Sequence, residues 1–224
     1  MYSNSENEKV LSSFFHVCEL VESVLKDEKV SADWSMHSVL PSYNIGTLVC
    51  HMACVLLRIE SSIQKRASDG AVEVTFEYYF VNDVLRDPEG FEDGISTVML
   101  QEAEYKAEDG LDQAYKSVAM TNERLKEYLN IDMLNDLIPL VAVRNGAAKL
   151  KDFLKTRIAD LVVHFDDMMA SSESLDTYNL LSEDDIEIAM DVCLQTVKAR
   201  YGRADLLRSM ARQERCNFSR IIAM

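Results

Sequence analysis

Turn-forming residues are scarce in this chain. Three prolines and seven glycines in 224 residues exclude collagenous and low-complexity classes and favour long, uninterrupted helices. No stretch of 18 consecutive apolar residues occurs, and the candidate LNDLIPLVAV is too short to span a bilayer. The opening MYSNSENEKV is polar and acidic, without the basic start and apolar stretch of a secretory leader. The five cysteines, Cys18, Cys50, Cys54, Cys193 and Cys216, are odd in number and include no CxxC pair. A disulfide framework is therefore not expected, and a reducing, cytoplasmic setting is. There is no P-loop, no GxGxxG and no GxSxG, so none of the usual phosphate cradles or nucleophile elbows is present.

Positive charge is also short. Twenty-three Lys and Arg face 38 Asp and Glu, a formal charge of −15. Such a surface repels phosphate backbones and anionic lipid, so neither nucleic acid nor membrane is expected as a partner. The segment from Lys198 to Arg220 is locally basic, with Arg208, Arg212 and Arg215 on one helix face. It reads as a helix docking on the acidic body or on a partner subunit, with a homodimer the simplest case.

What is abundant is apolar surface, 48% of residues, enough for a sizeable core. Its spacing is helical. One helix is expected from about Glu6 to Lys29, with Val10, Phe14, Val17, Cys18, Val21 and Leu25 on one side. A second runs from Ile45 to about Arg66. A third region spans about Ile95 to Leu129, with a break at Asp109-Gly110. A fourth runs from about Ala147 to Ala170. Ser182 followed by Asp185 resembles a capping box and opens a fifth helix to about Tyr201. RADLLRSMARQER reads as a sixth. Val72 to Phe80 is β-branched and aromatic, a short strand or a packed loop, and NIDMLNDLIPLVAVRNG is a connection of unsettled structure. The expected fold is all-α: a four-helix bundle over 1–175 with a helical C-terminal extension over 176–224 packed on it.

Two of the four histidines lie inside apolar helices. His51 sits between Leu48 and Val55 on the second helix, and His164 between Leu161 and Met168 on the fourth. Asp160 lies one turn before His164, on the same face. One imidazole from one helix and an acid-imidazole pair from another make a facial set of three ligands. Two nitrogens and one oxygen suit zinc or another divalent transition metal and leave a position open. The plain alternative is two satisfied core histidines and an Arg157–Asp160 pair on a helix surface. Cys50 and Cys54 read as structural, since buried free cysteine behaves as a small hydrophobe. His16 and His37 read as structural or surface residues.

These same stretches carry a family resemblance. LPSYNIGTLVCHMACVLLRIE resembles the loop-and-helix motif of the DinB-like superfamily, in the branch named for mycothiol-dependent maleylpyruvate isomerase. LKDFLKTRIADLVVHFDDM is similar to that branch's second motif, and AMDVCLQTVKARYGRADLLRSMARQER to a tail recurrent in its members. The matches extend from about Trp34 to Arg215. The resemblance implies a four-helix bundle holding a divalent metal, often zinc, with His51, Asp160 and His164 at the ligand positions. It implies an enzyme that binds a low-molecular-weight thiol such as mycothiol and uses it on a small electrophile, by S-transfer or isomerisation. In that reading Arg157 orients the acid or binds a substrate carboxylate, Asp167 supports His164 from behind, and Asp166 faces solvent or caps a neighbouring contact.

Two departures stand out. The acid is usually Glu in this branch and is Asp160 here, one methylene shorter. The named isomerase also has a separate α/β domain, where this chain has a short helical tail, so none of that domain's residues carries over. Both departures keep two other readings open: a natural-product tailoring enzyme on the same scaffold, metal-dependent or not, and a non-catalytic binding or dimerising protein.

Overall fold

The most apolar stretch of the chain becomes its central helix. In the computed structural model, which describes residues 2–65, 67, 70–75, 94–140, 145–172, 180–204 and 206–207, the helix α3 (Ile45–Ile63) is buried on nearly every side. Asn44 caps it, its side-chain oxygen accepting the Thr47 N–H at 2.7 Å. By length and composition this is one helix that could cross a bilayer, but 78% of its apolar window is buried inside the protein. A helix that is hydrophobic all round belongs equally in a core.

The other elements wrap α3. The helix α1 (Tyr2–Val24) contributes Val10, Phe14, Val17, Cys18 and Val21 to the core. It ends earlier than its periodicity predicts, because Asp27 turns its side chain to the Lys29 N–H and caps a new short helix, α2 (Glu28–Asp33). The third helical region divides where the glycine predicted: α4 (Gly94–Glu108) and α5 (Leu111–Tyr128) meet at Gly110, whose φ of 84° is left-handed backbone that glycine adopts without strain. The helix α6 (Leu150–Ser171) follows, and then α7 (Glu183–Tyr201). Ser182 opens α7 with a complete capping box: its hydroxyl accepts the Asp185 N–H while the Asp185 carboxylate accepts the Ser182 N–H.

The chain is mostly helical, as expected, with one addition. A small sheet, in the order β1-β3-β2, forms from β1 (Val72–Glu73), β2 (Leu137–Pro139) and β3 (Gly146–Lys149). β3 pairs parallel with β1, Val72 opposite Gly146, and antiparallel with β2, Ile138 opposite Ala148. Residues 147–149, expected to begin the fourth helix, are strand instead. Asn145 takes a φ of 59° and donates its amide to the Gly70 carbonyl at 3.2 Å, which delivers the chain between two partners. The buried Ala147 and Ala148 are small enough to fit there, so tertiary pairing overrides alanine's helix propensity. The rest of the Val72–Phe80 stretch, from 76 on, lies outside the described residues.

Side chains from α1, α3, α5, α6 and α7 meet in one apolar cluster, including Phe14, Leu48, Met52, Val118, Leu125, Leu154, Ile158, Phe165 and Val192. The helix α7 is therefore built into the same core, through Ile188, Ala189 and Val192. Gly202, at φ 83°, ends α7. Most of the predicted sixth helix, with Arg208, Arg212 and Arg215, lies outside the described residues.

Candidate metal centre

The face of α6 that meets α3 carries the polar residues. Thr156, Ile158, Ala159, Leu161, Val162 and Phe165 anchor α6 in the core, and this fixes its rotation. Asp160 and His164, four apart, then point together toward α3, where His51 stands 7% exposed. One donor atom from each of His51, Asp160 and His164 lies within 4.8 Å of the others. The two imidazoles meet edge to face, with centroids 4.8 Å apart and planes at 89°.

Asp160 is held from two sides. Arg157 Nη1 reaches Asp160 Oδ2 at 3.0 Å, and His164 Nε2 lies 3.4 Å from Oδ1. The guanidinium of Arg157 also sits over the Phe153 ring at 5.5 Å. On its other edge, His164 Nδ1 donates to Asp167 Oδ2 at 3.0 Å. Asp167 is thus the carboxylate behind His164, and Asp166 is exposed. The structure brings His51, Arg157, Asp160, His164 and Asp167 into one cluster.

Electrostatics divides the two histidines. Burial, reinforced by the charge of His164, pushes the His51 pKa down to about 4, so His51 is neutral at physiological pH. Burial works against a proton on His164 too, but bonds to Asp160 and Asp167 prevail and lift its pKa to about 9. Burial raises the pKa of Asp160, yet Arg157 and then His164 overcome it and hold the carboxyl well below the ordinary carboxylate range. Without a metal, the cluster is therefore a self-neutralising ion network beside one neutral imidazole.

That imidazole supplies the test of whether a cation fits. His51 Nδ1 is buried and has no hydrogen-bond partner among the described residues. Leaving such a nitrogen unpaired costs about 1–3 kcal/mol, and buried polar atoms of this kind call for an explanation. A cation ligated by Nδ1 would satisfy this neutral imidazole. The donor set, two nitrogens and one carboxylate, is right for zinc. The His164–Asp160 spacing of 3.4 Å matches the roughly 3.4 Å between ligands around a tetrahedral ion with bonds of about 2.1 Å, and no donor pair is wider than 4.8 Å, a difference within reach of side-chain rotation. The cluster fits a divalent metal.

The remaining candidates fall elsewhere. His16 is bonded to the buried Asp185, Nδ1 to Oδ2 at 2.6 Å, and so ties α1 to α7. His37 pairs with Asn44 in an isolated β-bridge. Cys50 and Cys54 are buried, and burial pushes the Cys50 thiol up to about 12 and raises that of Cys54. Neither is a thiolate at neutral pH.

Sequence reasoning did not assign Tyr43. Its ring stands 5.9 Å from His51 at 87°. The signal available was an aromatic residue immediately before the helix cap Asn44. No family model matches the chain, and searches of curated proteins and of solved structures return no match either.

Proposed function

We propose that this chain is a DinB-like helical metalloprotein that uses a low-molecular-weight thiol on a small electrophilic substrate, by S-transfer or isomerisation. His51, Asp160 and His164 hold the divalent metal, with zinc the expected ion. The observation that carries the reading is the convergence of these three side chains from two helices, together with a buried, unpartnered nitrogen on the His51 ring. The motifs around these residues resemble those of the thiol-using branch of the superfamily, and that resemblance supports the choice of chemistry.

When bound, the metal supplies a Lewis acid that favours the thiolate form of a thiol. The protein's own groups do the rest. Asp167 orients the His164 ring and fixes which nitrogen faces the site. Arg157, 12% exposed at its side chain, aligns Asp160 and offers a guanidinium to an anionic substrate group. His51 stays neutral and ready to ligate. The partners are the thiol and the small molecule, in a cytoplasmic setting.

The test is thiol consumption. Zinc-loaded protein with mycothiol and a panel of small electrophiles should consume thiol above background, and Asp160→Ala should abolish the excess. A metal-loaded protein with no consumption would instead support a tailoring enzyme with other chemistry. One observation favours a non-catalytic protein: both Asp160 oxygens already have protein partners, Arg157 and His164, as a purely structural network would. Absence of metal from the purified protein would support that reading.

A further inference from the structure

The two histidines of the cluster are held in different ways. His164 has a carboxylate behind it, Asp167 at 3.0 Å, the usual device for orienting a metal-binding imidazole. His51 has none: no carboxylate is hydrogen-bonded to its ring among the described residues, and its Nδ1 is the orphaned nitrogen left for the cation. Its ring is nevertheless boxed in at right angles on two sides, by His164 at 89° and by Tyr43 at 87°. Edge-to-face contact at these centroid distances is the preferred aromatic geometry.

The chain goes to some length to bring Tyr43 there. The turn 38–43 is closed by the Ser38 N–H to the Tyr43 carbonyl at 3.0 Å and the Tyr43 N–H to the Leu40 carbonyl at 3.2 Å. Ser42, immediately before Tyr43, has a φ of 68°, a left-handed conformation that is unfavourable for a non-glycine residue. The turn is pinned to α6 by the Val39 N–H donating to Ser171 Oγ at 2.9 Å. The same hydroxyl donates to the Asp167 carbonyl. The turn that presents Tyr43 is thus tied to the residue that orients His164.

We infer that Tyr43 is a positioning residue: its ring takes the place of the missing carboxylate and sets the His51 imidazole toward Asp160 and His164. This rests on the metal-site reading above. The work is done by the ring, so the hydroxyl is dispensable.

The test compares Tyr43→Phe with Tyr43→Ala in the full chain, using cobalt(II) as the probe. Wild type and Tyr43→Phe should bind cobalt within about twofold of each other and share one visible spectrum. Tyr43→Ala should bind ten- to a hundredfold more weakly, the usual loss when a supporting contact is removed, with shifted visible bands. A metal-free arm stands independently of cobalt binding. A nuclear Overhauser effect between the His51 and His164 ring protons should be present in wild type and Tyr43→Phe and lost in Tyr43→Ala. Should Tyr43→Ala lose helical content, Tyr43→Leu, apolar but without a ring, carries the same expectations. An alanine or leucine variant that keeps both the effect and the wild-type affinity overturns the inference. So does a phenylalanine variant that loses as much as alanine. Wild type that binds no cobalt sinks the metal reading, while the metal-free arm still decides the role of Tyr43.

Discussion

Stripped of metal, the cluster should make the protein lose stability as pH rises from 6.5 to 9. The group responsible is His164, whose pKa rises from its ordinary value of 6.5 to about 9 because Asp160 and Asp167 outweigh burial. A raised pKa means that the folded state holds a proton the unfolded chain has released. The stabilisation is complete below pH 6.5 and is lost as pH climbs through about 9. At 1.36 kcal/mol per pKa unit the loss is on the order of 3 kcal/mol. The side chain is 15% exposed, so solvent screening removes little of it. His51 adds nothing in this window, since its pKa is lowered to about 4 and both its states are neutral above pH 6.5.

Metal should erase the slope. A ligating His164 cannot keep its inward proton, so metal affinity rises about tenfold per pH unit up to pH 9. That gain offsets the falling stability of the metal-free fold. At saturating zinc the curve should be flat, because neither loaded nor unfolded His164 carries the proton there. The assay is urea denaturation at half-unit steps from pH 6.5 to 9, with chelator and with zinc. Asp160→Asn, which removes one of the two carboxylates, should flatten the chelated curve toward the loaded one. A chelated wild type no steeper than its zinc-loaded form would refute the reasoning.

Other consequences are more local. Gly46→Ala should destabilise by up to about 2 kcal/mol: a Cβ there would stand 2.4 Å from Trp34 Cε2, and overpacking of about 1–3 kcal/mol offsets or outweighs the helix-propensity gain of about 1. Trp34 is the single tryptophan, so its fluorescence should report the displacement, and a stabilised variant would contradict the packing. Asp185→Ala should cost about 2 kcal/mol in denaturation experiments, since it removes the bond to His16 and half of the α7 capping box. Cys18 and Cys50 should resist thiol reagents in the native protein and react on unfolding, because burial raises both thiols far above neutrality.

The parts of this structure that were legible in the sequence are those governed by local spacing. Asp160 and His164 share a face because they are four apart on a helix. The Ser182 and Asp185 spacing marked the start of α7, and Gly110 marked the break between α4 and α5. What the sequence hid depends on distant partners. The strand at Gly146–Lys149 exists because β1 and β2, far away in the chain, flank it, and its alanines say helix when read alone. The early end of α1 turns on an Asp27 side chain choosing a backbone N–H. His16 meets Asp185 across 169 positions, and nothing local announces it. Tyr43 sits in the stretch LPSYNIGTLVCHMACVLLRIE, yet its contact with His51 follows from a turn whose left-handed serine has no sequence signature.

The central claim is that His51, Asp160 and His164 hold a metal ion. Its most direct test is the metal content of protein purified without chelator, alongside His51→Ala and Asp160→Ala. The account predicts close to one divalent ion per wild-type chain and little or none in either variant. Metal-free wild type, or variants that retain as much metal as wild type, would contradict it.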